Sequence, residues 1–530
     1  MSATTITTPL FSGFQGRHAG ILLHPTSLPS AQGIGTLGRG AFAFVDWIAD
    51  CGLGWWQMCP LGPTGYGDSP YQCFSAFAGN PYLIDLEALV AAGLLDADAL
   101  LPLRKLSPER VEFGFLWEHF HPVMAAAWRE AKKTPARLEV FGDIGEFRRK
   151  QAEWLEDYAL FTALKKHFGG VSWHEWPESA RDHARAVKTH WPKAVSDDAE
   201  AVVFQQFIFF SQWGKLRDRA RVRGVRIIGD APIFVARDSA DVWANPQFFQ
   251  LNPEGTPAFV AGVPPDYFSP DGQLWGNPLY NWEALKRDGY RWWLRRLAAD
   301  LRLADAVRVD HFRAFYDYWQ IPGGAAHARK GKWEKGPGLD FFRKVRATLG
   351  DVALIAEDLG DLSPGVHTLR QASGLPGMAV LQFAFGSDAA NLYLPHNHVR
   401  DCVVYSGTHD NDTTCGWYAS APESVRDQFR QYLGSSGEAP HWDLIRAAFT
   451  SPAALAVIPF QDVLGLGSNA RFNTPGTMSG NWRWRVTQRE LEHARTFLLP
   501  NLRKLAEVTG RRAPLNATLP GKNFSSEGAL

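Results

Sequence analysis

Residues 306–312 read AVRVDHF, an apolar run of strand-forming residues that ends abruptly in the polar pair Asp310 and His311. Seven other segments share this pattern of a short apolar run followed at once by polar residues. Most of them are continuously apolar, which indicates strands buried on both faces of a parallel sheet. The eight predicted strands are residues 20–24, 53–60, 226–232, 306–312, 353–357, 378–384, 403–408 and 455–461.

Segments with helical periodicity lie between several of these runs. Apolar residues recur at spacings of three and four in residues 41–50, and again around Phe207 and around Leu297. Eight strands alternating with helices favour a closed (β/α)₈ TIM barrel over an open sheet, because eight is the number that closes. The length of 530 residues would also allow about three domains. We expect one catalytic barrel spanning residues 1–530.

Two intervals between the predicted strands are too long for simple crossovers. The interval after the second strand carries apolar residues at helical spacing, such as Trp154, Tyr158 and Phe161, so we expect a mostly helical subdomain at about residues 80–195. The interval after the third strand is dense in Pro, Gly, Asn and aromatic residues. Because long loops in compact domains are usually functional, we expect a loop-rich subdomain over the substrate cleft at about residues 236–290.

Charge and cysteine content exclude several classes of function. The 55 Lys and Arg residues balance 55 Asp and Glu residues, so the chain shows no electrostatic footprint for nucleic acid or an anionic membrane. No apolar run is long enough for a membrane span, and the first residues do not resemble a secretory signal. The five cysteines are widely spaced and form no CxxC pair, so we expect reduced thiols in a cytoplasmic protein. Nothing in the sequence indicates an obligate protein partner.

Carboxylates follow five of the predicted strands at or just beyond their carboxyl ends: Asp230, Asp310, Glu357, Asp410 and Asp462. One such carboxylate can simply cap the next helix or pair with an arginine. Several of them gathered at the carboxyl end of a barrel, where barrel active sites lie, would raise one another's pKa and create acid and base pairs.

Glycoside chemistry is the reaction class that most needs this arrangement. A retaining mechanism uses a nucleophilic carboxylate and a protonated acid about 5–5.5 Å apart. Arg308 precedes Asp310 by two residues, so on a strand both side chains point the same way and the cation would keep the carboxylate ionised. A buried structural ion pair is the alternative. His409, at the barrel rim, can donate to a sugar hydroxyl or merely satisfy a loop carbonyl.

Aromatic residues beside polar ones suit a sugar ligand. The chain holds 21 Trp, and rings lie near amides and carboxylates around Tyr71 and around Gln273 and Trp275. Pyranose rings have apolar faces and hydroxyl rims, which such surfaces match. The alternative is that these rings form core or hold their loops in place.

Neither a nucleotide site nor a metal site is predicted. Gly33, Gly35 and Gly38 match GxGxxG, but a segment with two prolines separates them from the preceding strand, whereas a dinucleotide fingerprint follows its strand at once. The sequence contains no HExxH motif and no tight His or Cys cluster.

Long motifs at these residues resemble the amylomaltase family of 4-α-glucanotransferases (disproportionating enzymes), which is related to the α-amylases. The resemblance covers the chain from about Gly20 to about Arg485. It implies a (β/α)₈ barrel with inserted subdomains and no separate C-terminal β-domain, and a retaining mechanism without cofactor or metal. The motifs are GYGDSPYQCFSAFAGNPYLIDL, IIGDAPIFVARDSADVW, GVPPDYFSPDGQLWGNPLYNW, VRVDHFRAFYDYWQIP, IAEDLG, LPHNH, YSGTHDNDTTCGWY, and RFNTPGT with NWRWR.

The resemblance also implies roles for individual residues. Asp310 is similar to the family nucleophile, Glu357 to its acid/base and Asp410 to its transition-state stabiliser. The residues implied to contact substrate are Arg308, His409, Asp230, Tyr71, Gln273, Trp275, Asn473 and Pro475.

The expected function is transfer of α-1,4-glucan segments to the 4-hydroxyl of an acceptor sugar, with cyclisation as a variant of the same reaction. The expected partners are maltooligosaccharides and glucans derived from starch or glycogen. A retaining α-glucan hydrolase is the first alternative, because the carboxylate set is shared and water exclusion is a property of loops. A non-catalytic glucan-binding protein is less favoured, since a degenerate site would be expected to lack one of the three acids.

Overall fold

A computed structural model describes residues 9–265, 270–360, 362–477 and 479–513. The described residues form two β-sheets, one parallel and one antiparallel. The strands are β1 (His18–Leu22), β2 (Trp55–Gln57), β3 (Arg226–Pro232), β4 (Phe259–Val263), β5 (Gln273–Pro278), β6 (Ala306–Asp310), β7 (Asp317–Pro322), β8 (Lys332–Lys335), β9 (Leu354–Ala356), β10 (Gly377–Val380), β11 (Cys402–Tyr405) and β12 (Leu455–Pro459).

The parallel sheet is the predicted TIM barrel. Its strands run in the order β10-β11-β12-β1-β2-β3-β6-β9, and each overlaps one of the eight predicted runs. The N–H of Ala356 donates to the carbonyl of Pro376 at 2.9 Å, which links β9 to the residue preceding β10. The sheet therefore curls into a nearly closed barrel, and the predicted fold class is confirmed.

Helices connect and surround these strands. The helical periodicity of residues 41–50 is confirmed, because α1 buries Ala41, Phe44, Val45 and Ile48. None of the described helices is long and apolar enough to cross a membrane. The helices are α1 (Arg39–Asp50), α2 (Leu86–Ala91), α3 (Phe113–Lys133), α4 (Ile144–Lys150), α5 (Leu155–His167), α6 (Glu178–Arg181), α7 (His183–Ala186), α8 (Trp191–Ala194), α9 (Ser196–Val222), α10 (Ala240–Ala244), α11 (Trp282–Arg287), α12 (Arg291–Leu303), α13 (Gly338–Leu349), α14 (Pro364–Ser373), α15 (Thr414–Ser420), α16 (Glu423–Leu433), α17 (Pro440–Thr450), α18 (Phe460–Leu464), α19 (Gln488–His493) and α20 (Leu499–Val508).

The second sheet is antiparallel, in the order β5-β4-β7-β8, and was not predicted from the sequence. Its first two strands lie between β3 and β6, where composition indicated loops. Gly262 explains why the sequence does not reveal β4 as a strand. A Cβ atom at this position would lie 2.2 Å from the carbonyl oxygen of Gln273. The close approach of β4 and β5 requires glycine there, and glycine inside a strand weakens the strand pattern.

Two clusters of buried apolar residues hold the barrel. The larger cluster packs the barrel against its helices. The smaller one takes a residue from every barrel strand, for example Trp55, Ile228 and Ala306, and therefore fills the barrel interior.

Arg511 ties the last described residues to the start and end of the barrel. Its guanidinium donates at 2.8 Å to the carbonyls of Phe449, His18, Ser451 and Ala453, and its side chain is fully buried. A buried arginine is tolerated when its donors are satisfied in this way. The contact joins β1 to the segment leading into β12.

We predict that Arg511→Met lowers the free energy of unfolding by at least about 3 kcal/mol, because several buried carbonyls lose their donor. Urea unfolding followed by tryptophan fluorescence measures the change. The neighbouring Arg512 is exposed, so Arg512→Met is the matched control. Equal stability of the two variants would contradict the role given to Arg511.

Candidate active site

Strand β6 presents its functional residues to the barrel interior. Ala306 belongs to the interior cluster, and Arg308 and Asp310 follow it at intervals of two on the same face. The Arg308 guanidinium lies 2.9 Å from Oδ1 of Asp310 and donates to both oxygens of Asp230, at 2.9 and 2.8 Å. Asp230 is the register partner of Arg308 on β3.

This cluster of charges is almost closed to solvent. The side chain of Arg308 is 4% exposed and that of Asp230 is 0% exposed, whereas Asp310 retains 29%. Burial alone would lower the pKa of Arg308, but Asp230 and Asp310 raise it well above its ordinary value. The cation therefore stays protonated and orients two carboxylates, of which Asp310 is the one open to a ligand.

Glu357 faces Asp310 from the neighbouring strand. Val309 pairs with Ala356, so the next residues of β6 and of the β9 segment lie side by side, and the N–H of Glu357 donates to the carbonyl of Val309 at 3.1 Å. Burial raises the pKa of Glu357 to about 7; Arg308 opposes the shift and Asp310 adds to it. This carboxyl group holds a proton closer to neutrality than an ordinary glutamic acid does.

His311 follows Asp310 in the chain, and its backbone N–H contacts the carboxyl group of Glu357. It adopts a left-handed conformation with φ of 51°, and its N–H donates to Oε2 of Glu357 at 2.7 Å. The N–H of Leu359 donates to Oε1 at 3.1 Å. Burial lowers the pKa of the His311 ring to about 4, so the ring is neutral at pH 7. No sequence signal marks His311 for this role, because the role depends on its backbone conformation and not on a side-chain pattern.

Tyr71 and His409 form a second wall of the site. The Tyr71 hydroxyl donates to Oδ2 of Asp230 at 2.8 Å, and its ring stacks on His409 with centroids 5.0 Å apart. Trp482 lies 5.7 Å from the Tyr71 ring and 5.9 Å from the His409 ring. Trp482 belongs to the motif NWRWR, but the sequence alone does not place it in the site, because its aromatic neighbours Tyr71 and His409 come from distant loops.

Asp410 is oriented from three directions. His409 Nε2 lies 3.3 Å from its Oδ1, and Asn473 Nδ2 donates to the same oxygen at 2.6 Å. Arg471, which no sequence signal marks as a site residue, donates to the carbonyls of Asp410 and Asn473, at 2.7 and 2.8 Å. The Asp410 side chain remains 43% exposed and accessible to a ligand. Pro475 lies exposed on the same loop, two residues beyond Asn473.

Strand β5 of the antiparallel sheet reaches this site. The Trp275 indole N–H donates to Oε1 of Gln273 at 3.1 Å, and the Trp275 ring meets the His311 ring edge-on at 4.9 Å. The second sheet therefore places an aromatic residue beside the end of β6.

Asp462 is the exception among the strand-end acids. It is buried and accepts hydrogen bonds from the Ser406 hydroxyl at 2.6 Å and from both the N–H and the hydroxyl of Thr414 at 2.7 Å. These bonds fix the start of α15, so the alternative of a structural carboxylate holds for Asp462. The other four acids converge on the site.

The described residues contain no group of three or more His, Cys, Asp or Glu side chains that could hold a metal ion. A parallel barrel whose strand ends gather an arginine, a paired carboxylate and a carboxyl group of raised pKa defines an enzyme that acts on glycosidic bonds.

Comparison with known proteins narrows this class. A family profile described as 4-alpha-glucanotransferase matches residues 23–491, and the chain belongs to this family. It is 48% identical over 508 residues to the 4-alpha-glucanotransferase of Thermus thermophilus, covering 93% of this chain and 99% of the relative. The Synechocystis sp. 4-alpha-glucanotransferase is 46% identical over 500 residues, covering 94% and 98%. The resemblance seen in the motifs is confirmed.

A solved structure gives the same result. The amylomaltase from Streptococcus agalactiae in complex with acarbose superposes with a TM-score of 0.89 at 34% identity. The match covers 94% of this chain and 100% of that one. The roles of the individual residues remain predictions.

We predict that Glu357→Gln stabilises the fold more at pH 8 than at pH 5. Between the ordinary glutamic acid pKa and about 7, the folded protein retains a proton that the unfolded chain has released, so wild-type stability falls as pH rises through this window. The amide cannot ionise and escapes this loss, which amounts to up to about 3 kcal/mol.

Thermal unfolding of both proteins at the two pH values measures this effect. Glu254→Gln, at an exposed turn, controls for the amide substitution. A difference between wild type and Glu357→Gln that is the same at pH 5 and pH 8 would refute the assigned pKa direction.

Proposed function

We propose that the protein is a 4-α-glucanotransferase that moves α-1,4-glucan segments to the 4-hydroxyl of an acceptor sugar by a retaining double displacement. One observation carries the proposal: Arg308 holds the Asp310 carboxyl group at 2.9 Å at the end of β6, beside Glu357, whose pKa burial raises to about 7. Neighbouring strands lie about 4.8 Å apart, which suits the 5–5.5 Å between the two carboxyl groups of retaining enzymes.

In the first step, an Asp310 oxygen attacks C1 of the donor sugar. The bond from C1 to the glycosidic oxygen breaks, and protonated Glu357 gives its proton to that oxygen as the leaving glucan departs. The product is a glycosyl ester on Asp310. Arg308 orients the nucleophile before the attack, and the amides of His311 and Leu359 fix the orientation of Glu357.

In the second step, the ester is transferred to the acceptor. Deprotonated Glu357 takes the proton of the acceptor 4-hydroxyl while that oxygen attacks C1 and the bond to Asp310 breaks. Two inversions restore the original configuration, and a new α-1,4 link forms. Asp410, held by Asn473 and His409, offers an accessible carboxylate whose bonds to sugar hydroxyls strengthen as the ring flattens.

Transfer to sugar in place of water requires an acceptor site. Water is present at roughly 55 M, so proximity and orientation must favour the sugar. Trp275 on β5 is half-buried, and its ring lies beside that of His311. It offers a flat surface next to the reacting residues. The second sheet is the part of the fold that would hold the acceptor.

The proposed substrates are maltooligosaccharides and glucans derived from starch or glycogen. The related amylomaltase of Streptococcus agalactiae was solved with acarbose, and other relatives carry the name 4-alpha-glucanotransferase. The five free cysteines favour a compartment that keeps thiols reduced, and we assign the protein to the cytoplasm.

We predict that the wild-type protein converts maltotriose into glucose and a ladder of longer maltooligosaccharides, and that Asp310→Asn nearly abolishes this conversion. An amide cannot form the glycosyl ester, while the fold remains intact. Chromatography of the sugars formed from maltotriose by the two proteins measures the conversion. Only shorter sugars would indicate the hydrolase, no change would indicate a binding protein, and a folded, active Asp310→Asn would refute the nucleophile.

For Glu357→Gln, we predict that α-maltosyl fluoride glycosylates Asp310 and that the intermediate then accumulates. Fluoride leaves without acid assistance, so the bond from C1 to fluorine breaks and the ester forms, but no base remains to activate an acceptor. Intact-protein mass spectrometry should show one added maltosyl group. Rapid turnover of this donor, or an adduct on another residue, would contradict the acid/base role.

A third change tests the acceptor site. We predict that Trp275→Ala lowers transfer about tenfold more than hydrolysis, because a lost stacking contact costs about 1.5 kcal/mol at the acceptor. Glucose and total reducing ends from maltotriose are measured together. Trp333→Ala, an exposed tryptophan on β8 at the other edge of the same sheet, is the control. An unchanged ratio of transfer to hydrolysis in Trp275→Ala would assign this ring to loop packing.

A further inference from the structure

A groove of about 270 Å³ lies on the outer wall of the barrel, away from the carboxylates at the strand ends. Helices α9 and α12, which both pack on β3, form two of its sides, and the residues just before α5 form another. None of the predicted site residues lines it. Its lining residues are Phe77, Gln151, Trp154, Phe210, Trp213, Gly214, Arg217, Asp218, Arg221, Ala299, Arg302 and Leu303.

One end of the groove is aromatic. Trp154 lies nearly parallel to Phe77, with an interplanar angle of 15° and centroids 6.4 Å apart, and its ring centroid is 5.9 Å from that of Phe210. All three side chains are half-buried. The rings of Trp154 and Phe210 are inclined at 43°, and the three side chains together form an apolar surface that solvent reaches.

Polar side chains that line the groove supply both hydrogen-bond donors and acceptors. Gln151 accepts the Trp154 indole N–H at 2.8 Å through Oε1, and its amide NH₂ has no acceptor among the described residues. Asp218 pairs with Arg221 at 3.0 Å, and Arg217 pairs with Asp305 at 2.7 Å. Arg302 is exposed. Because two of the three arginines already bind carboxylates, the groove suits a neutral polyhydroxyl ligand better than an anion.

A buried donor in the wall also lacks a partner. Trp213 is 2% exposed, and its indole N–H makes no hydrogen bond within the described part of the chain. An unpaired buried N–H is unfavourable, and such groups are uncommon in folded proteins. The wall of the groove therefore contains a polar group that the described residues leave unpaired.

We propose that this groove is a second, non-catalytic site that binds a segment of α-1,4-glucan. A pyranose face packs on Trp154 and Phe210, and its hydroxyls bind Gln151, Asp218 and Arg302. The choice of glucan as the sugar rests on the proposed function. The groove holds one part of a long glucan while another part occupies the catalytic cleft, so it raises the effective concentration of long substrates only.

The test counts binding sites in a protein that does not turn over. Maltoheptaose is titrated calorimetrically into Asp310→Asn and into the double variant Asp310→Asn with Trp154→Ala. We expect two sites in the first protein, with groove binding in the second weakened about tenfold or more by loss of the stacking surface. Asp310→Asn with Arg302→Ala, which changes only an exposed side chain, should weaken the same site if the Trp154 variant fails to fold.

Controls separate this proposal from the catalytic one. Phe497→Ala removes an aromatic residue that is 62% exposed elsewhere on the surface and should leave both sites intact. In otherwise wild-type protein, Trp154→Ala should retain kcat/KM for maltotriose and raise KM for long amylose. The proposal that the groove binds glucan is overturned if Asp310→Asn shows a single binding site. It is also overturned if binding is unchanged in both groove variants. Failure of the wild-type protein to disproportionate maltotriose overturns the catalytic function independently.

Discussion

The guanidinium of Arg308 is the contact on which the site depends. It sits inside the barrel with almost no exposure and binds carboxylates on its own strand and on the next one. Taking three charges out of water is costly, and the arrangement persists because each charge finds a partner within 3 Å. The same pairing sets the position of Asp310 relative to Glu357, so the stability of the barrel mouth and the chemistry proposed for it have one physical basis.

The turn at His311 links Asp310, which precedes it in the chain, to the carboxyl group of Glu357. His311 leaves β6 in a left-handed conformation, and this conformation directs its N–H to Glu357 on the adjacent segment. Strained backbone of this kind costs energy and persists only where the surrounding structure imposes it. The Trp275 ring meets the His311 ring edge-on, so the antiparallel sheet is in contact with this turn. Orientation of the acid and construction of the cleft are therefore coupled.

The barrel and the charged part of the site could be predicted from sequence, because both follow from where apolar runs stop. Asp230, Asp310 and Glu357 come directly after such runs, and parallel strands bring their carboxyl ends together. The second sheet escaped prediction since β4 pairs with β7 across the intervening β6, and a pairing of this range leaves no local pattern. Arg471 and Trp482 were missed because their contacts join loops distant in the chain. Asp462 has the same sequence signature as the other acids, and only its buried hydrogen bonds distinguish it.

The hydrogen bonds of Arg511 have a consequence for biosynthesis. Strand β1 pairs with β12, and Arg511 binds the backbone at the start of both, so β1 completes its contacts only once β12 and Arg511 are present. During translation, β2 can pair with one edge of β1 soon after both are made, whereas the other edge stays unpaired until β12 is made. An unpaired strand edge is a site for wrong association between nascent chains. Because β12 and Arg511 come late in the chain, this edge of β1 is covered late in synthesis.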